Sequence, residues 1–171
     1  MVYDEGLLWL LQQMREAGEF EAEFAVKVSA HTAAANPFSV RLLADLGAQS
    51  VNIVRDFTLP ALAAIRQAVQ IPLDVHTDSP QESGGFVRTY EVPGMVEVGA
   101  PVFLKAGTNA AAEHLPLMSD AAAAEMTSQT AQIWQTIQRY APHAVCAEPN
   151  GKNVAVPALA GGNRPETPFV R

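Results

Sequence analysis

The stretch Ile71-Pro72-Leu73-Asp74-Val75-His76-Thr77-Asp78 alternates apolar and polar side chains. Successive side chains on an extended chain point to opposite faces, so Leu73 and Val75 share one face and Asp74, His76 and Asp78 the other. The division recurs along the chain. Phe24–His31 sets Lys27, Ser29 and His31 against Val26, Val28 and Ala30. Ser50–Asp56 sets Asn52 and Asp56 against Val51 and Ile53, and Pro101–Gly107 sets Lys105 against Val102 and Leu104. Strands of a parallel sheet covered by helices on both sides are apolar throughout. A sheet apolar on one face and lined by Lys, His, Asp and Asn on the other is expected to wall a lumen or cleft for a small molecule.

Between these strands lie helical patterns with recognisable ends. Leu7, Leu10, Leu11 and Met14 recur at helical spacing between Asp4, a candidate N-cap, and Gly18, a stop. Asn36-Pro37 opens a helix through Leu42, Leu43 and Leu46 to Gly47. Thr58 opens one with Leu59, Leu62 and Ile65 inward, and Pro93–Gly99 reads as a short one. Ser119 opens the longest, with Met126, Ile133, Ile137 and Tyr140 on one face. Ala144–Ala147 reads as a fifth short strand, and Gly107–Pro116 as a loop. Alternating helices and strands mean parallel pairing with right-handed crossovers. Steps of about 22 to 31 residues suit a (β/α) barrel, but four or five strands are too few to close one of eight. The apparent start on a helix reads as a cut into a longer repeat.

Composition narrows the partners. The 171 residues carry a net charge of −7 without a Lys/Arg run, so nucleic acid is not an expected partner. No apolar run is long enough to span a bilayer, and the acidic start is unlike a signal peptide, so a cytoplasmic protein is expected. Cys146 is the single cysteine. It reads as a small buried hydrophobe, and no iron–sulfur cluster is expected.

Ligands in parallel α/β folds sit beyond the C-terminal strand ends. The residues there include His31, Asp56, His76, Asp78 and Lys105. Imidazole and carboxylate suit a divalent cation, though no compact ligand spacing specifies one, and the alternative is hydrogen bonding to loop carbonyls. Deeper in the lumen, Lys27 and Lys105 flank Asp74. They could form an ion pair, or a lysine of depressed basicity could attack a carbonyl. Gly84-Gly85 followed by Arg88 could bring backbone N–H groups and a charge to an anion, or could be a simple connection.

Four stretches add a resemblance. Leu59-Pro60-Ala61-Leu62-Ala63-Ala64-Ile65-Arg66-Gln67-Ala68-Val69 is followed by Ile71-Pro72-Leu73-Asp74-Val75. Further on stand Gly84-Gly85-Phe86-Val87-Arg88-Thr89-Tyr90-Glu91-Val92-Pro93 and Ala100-Pro101-Val102-Phe103-Leu104-Lys105. Together, over roughly residues 48–107, they resemble bacterial proteins of peptidase family U32. The resemblance implies a TIM-type (β/α) barrel, a bacterial cytoplasmic hydrolase, and a chain corresponding to the C-terminal part of such a protein. It transfers no catalytic residue to a matching position.

The expectation is an α/β chain: a partial TIM-type (β/α) barrel of four or five parallel strands over residues 1–147, with a Pro/Gly-rich tail at 148–171. Its site would act on a small polar or anionic substrate through Lys27, His31, Asp74, His76 and Lys105. His76 or His31 would move protons, Lys105 would hold an anionic group, and Asp74 would orient a partner. Asn52, Asp56, Asp78 and Arg88 would bind substrate. The alternative is a non-catalytic half-barrel whose polar groups satisfy one another and whose open edge docks a second chain. The expected partner is then a second copy or an absent N-terminal half-barrel.

Overall fold

The computed structural model describes residues 1–21, 24–110 and 118–146, so the expected tail and most of the loop after Ala110 lie outside the described residues. Four parallel strands form one sheet: β1 (Lys27–Val28), β2 (Ser50–Asn52), β3 (Leu73–His76) and β4 (Val102–Lys105), side by side in chain order. Five helices alternate with them: α1 (Glu5–Glu16), α2 (Pro37–Asp45), α3 (Leu59–Ala68), α4 (Val92–Gly99) and α5 (Asp120–Tyr140). Each crossover advances one strand in the same direction. Right-handed connections then place α2, α3 and α4 on one side of the sheet, and α2, α3, α4 and α5 pack against their neighbours in sequence.

Local chemistry sets the helix boundaries. Asp4 accepts a hydrogen bond from Leu7 N–H, and Asn36 and Ser39 cap α2 reciprocally ahead of Pro37. The hydroxyls of Thr58 and Ser119 cap α3 and α5. Beneath the helices, Val28, Val51, Leu73 and Val75 are buried against Leu62, Ile65, Val92 and Met95. Each such side chain contributes about 1.5–3 kcal/mol, and this layer holds the fold. Below it, the Arg66 guanidinium donates to the carbonyls of Val69, Ile71, Gly99 and Pro101 and ties the turns that lead into β3 and β4. Burial pushes its pKa down to about 10.

Several expectations are corrected. In α1 the buried side chain is Leu8, while Leu7 and Leu10 stay 44% and 47% exposed. The cause lies on Leu8's side of the helix, where Arg15 donates to the carbonyls of Gly47 and Phe24 and to the Gln49 side chain. In α2, Val40 and Leu43 are buried and Leu42 faces outward. In α5, Ile133 and Ile137 are buried but Tyr140 is exposed. Residues 144–146 form no strand, and Cys146 is exposed. The chain does not open on a helix alone. Val2 N–H donates to Lys27 O (2.8 Å) and Val2 O accepts from Ser29 N–H (2.7 Å), a parallel bridge that extends the sheet beyond β1.

Candidate functional site

The register settles which side chains share the face turned away from the helices. Lys27 stands beside Ser50, Asn52 beside Asp74 and Phe103, and His76 beside Lys105. Paired residues in a parallel ladder point the same way, so these seven side chains line one face. The expected juxtaposition of Lys27, Asn52, Asp74, His76 and Lys105 is therefore present. The chain has three lysines in all, and two of them stand here.

On the β1 side the polar groups are paired. The Asp74 carboxylate, 3% exposed, accepts from Lys27 Nζ at 2.7 Å through Oδ1 and from the Ser50 hydroxyl through Oδ2. The Lys27 ammonium also lies over the Phe103 ring, 4.1 Å from its centre. Lys27 thus has a carboxylate and a π-face for its charge.

On the β4 side the pairing is incomplete. The Asn52 amide is satisfied with its oxygen toward Lys105 Nζ (3.0 Å) and its nitrogen toward the Asp74 carbonyl (3.2 Å). The end that faces Lys105 also lies 3.4 Å from His76 Nε2. Lys105 makes no ion pair among the described residues. Burial of its amine, with the nearby charges of Lys27 and Arg55, pushes its pKa down against the opposing pull of Asp74. His76 is 3% exposed, and its Nδ1 is buried without a hydrogen-bond partner. Burial, then the positive charges of Lys105 and Arg55, bring its pKa down to about 4. The ring is neutral at ordinary pH and a weak proton acceptor. Its Nδ1 is left as a hydrogen-bonding group without a partner.

The remaining expected residues do not join this cluster. Asp78 is buried, but its carboxylate oxygens accept from Thr108 Oγ1 (2.8 Å) and Asn109 N–H (3.0 Å), clamping the segment after β4. That segment starts at Gly107, where φ is +87° and an added Cβ would stand 2.6 Å from Met126. His31 is on a short 3₁₀ turn, Ala30–Thr32, that begins as soon as β1 ends. The Ser29 hydroxyl accepts from His31 N–H, which diverts the chain and leaves the ring exposed against Tyr3. Asp56 is exposed because β2 ends at Asn52 and the alternation stops there.

Asp56 and Arg88 instead line a separate open cleft of about 560 Å³ above the ends of β2 and β3, with Phe57, Pro60, Phe86 and Tyr90. Arg88 is a strut in its wall: it pairs with Glu91, stacks on Phe57 at 4.4 Å and donates to Arg55 O. The N–H groups of Gly84 and Gly85 donate to the carbonyls of Gln81 and Pro80, so that loop presents neither to an anion. Among the described residues no three His, Cys, Asp or Glu side chains converge to hold a metal ion.

Three contributors escaped the sequence reading. Arg55 faces His76 and Lys105 closely enough to depress both, and its Nε is buried without a partner. Strand alternation placed Asp56 inward and hid Arg55. Ser50 and Phe103 were legible, since each stands two residues from a polar-face residue on its own strand. No protein-family model, no curated protein and no solved structure matches this chain.

Proposed function

We propose that the polar sheet face is the binding site of a small anionic molecule and that the protein is a barrel-type enzyme acting on it. The observation that carries this reading is the charge imbalance beside an unfilled hydrogen-bonding position. Lys27 and Arg55 both act on Lys105 with Asp74 as the opposing carboxylate, while the Asp78 carboxylate is taken up by Thr108 and Asn109. Such a concentration of positive charge stands out in a chain of net charge −7 and would be relieved by an incoming anion. The unpartnered His76 Nδ1 and Arg55 Nε supply hydrogen bonds that fix its orientation. In this reading Lys105 and Arg55 hold the anionic group, His76 meets a neighbouring polar atom, and Asp74 with Lys27 keeps the wall rigid. The likeness to peptidase family U32 over residues 48–107 supports a hydrolase or related barrel enzyme, and the one-directional strand order suits part of a (β/α) barrel.

Thermal unfolding in inorganic phosphate, pyruvate or succinate, at constant ionic strength, tests the reading. At least one of these anions should raise the midpoint, and Arg55→Gln and Lys105→Gln should each remove the rise. No rise with any of them, or a rise that both variants retain, would refute it.

The assembly reading rests on a different observation. Phe38 and Leu42, one turn apart on α2, are 87% and 57% exposed, and Leu7 and Leu10 of α1 are exposed as well. Apolar side chains in such number favour self-association. Sedimentation at increasing concentration checks it, and a monomer throughout would exclude it.

A further inference from the structure

We propose that Lys105 is a nucleophilic amine that forms an imine with an aldehyde or ketone bearing a carboxylate or phosphate group. This rests on the reading of the polar sheet face as an anion site and names its chemistry. The argument is one of partners. Of the two lysines on the face, Lys27 has the Asp74 carboxylate at 2.7 Å and the Phe103 ring beneath it. Both engage its ammonium, so Lys27 is held in place as a structural partner. Lys105 stands on the other flank of Asp74 with only a neutral contact, the Asn52 amide oxygen at 3.0 Å. It is half-buried and shares the influence of the Asp74 carboxylate with two other cations. Burial and neighbouring cations there raise the share of its neutral form, the form with a lone pair to donate. Its basicity is accordingly depressed.

The step balances without a co-reactant. The Lys105 nitrogen lone pair forms a bond to the carbonyl carbon as the C=O π pair moves to oxygen. The oxygen then leaves as water with the two amine hydrogens, and the imine takes up one proton from solvent. Arg55 is the nearby charge that holds the substrate's anionic group, and His76, the register partner of Lys105, offers Nδ1 as the unfilled hydrogen-bonding position.

The full chain, treated with pyridoxal phosphate as an anionic aldehyde probe and reduced with borohydride, tests this. Peptide mapping then reports on Lys27, Lys105 and Lys152. Lys105 should carry about tenfold more label than either other lysine at neutral pH. Even labelling, or labelling led by Lys27 or Lys152, would overturn the proposal. Two further probes separate it from the anion reading. Pyridoxine phosphate, which lacks the aldehyde, should compete with the labelling. If Lys105 is labelled selectively by pyridoxal and its phosphate alike and pyridoxine phosphate does not compete, the nucleophile stands and the anion site falls. If pyridoxine phosphate raises the unfolding midpoint while Lys105 stays unlabelled, the anion site stands and the imine falls.

Discussion

Lys27 and Lys105 occupy the same face of one sheet, on its first and last strands, and differ in almost everything that matters to an amine. Lys27 reaches across β2 to a buried carboxylate that a serine hydroxyl also holds. Lys105 reaches an amide oxygen. The first arrangement completes an ion pair and stiffens the wall. The second leaves a cation short of a counter-charge next to a histidine with an unfilled position. One face therefore carries both a structural half and a reactive half, and Asp74 marks the border. Buried polar groups fully satisfied are architecture, whereas those left in part unsatisfied point to a ligand.

Removing Lys27 should have the largest effect. Lys27→Met leaves the Asp74 carboxylate buried without its cation and should cost about 3–5 kcal/mol in urea unfolding. The double variant Lys27→Met with Asp74→Leu should recover most of that loss. A single-variant cost below about 1 kcal/mol, as for an exposed pair, would erase the border between the two halves.

The next effect is on pH. The unfolded chain carries His76 at its ordinary pKa of 6.5, and the folded protein holds it at about 4. Between these values the unfolded state binds a proton that the folded state does not. Stability from this group is therefore full above pH 6.5 and falls as pH drops toward 4, by about 3 kcal/mol in all. His76→Gln should flatten this part of the stability profile. A profile unchanged by the substitution would show that the β4 half does not hold a neutral imidazole.

The smallest effect belongs to Lys105. Lys105→Met should shift stability by less than about 1 kcal/mol, because no carboxylate loses its partner. A loss as large as that of Lys27→Met would mean that both lysines are structural.

The polar face was legible in the sequence because strand alternation is a local property. Asp74 and His76 stand two apart, as do Phe103 and Lys105, and a regular strand carries each pair to one side. What failed lies where regularity stops. His31 was placed on the face by extending β1, but the Ser29 side chain offers the backbone a competing hydrogen bond and the strand turns. Asp56 was placed inward by extending β2, and the end of that strand at Asn52 brought Arg55 to His76 and Lys105 in its place. On α1 the periodicity favoured Leu7 and Leu10, but Leu8 is the buried side chain, on the side where Arg15 contacts the Gly47 and Gln49 region. Long-range hydrogen bonds of that kind leave no trace in spacing.

The strand order has a consequence for motion. β3 is hydrogen-bonded on both sides and buried along its whole length, and β1 is flanked on its outer side by Val2. β4 is paired with β3 alone among the described residues, and each of its side chains is half-buried. Amide hydrogens exchange soonest where an element has fewest partners to hold it. The backbone of Asp74, and with it the fixed ion pair, should exchange with the slow core, while Val102–Lys105 breathes on a shorter timescale. The lysine without an ion pair thus rides on the segment that opens most readily, while the carboxylate of the salt bridge stays on the better-held β3.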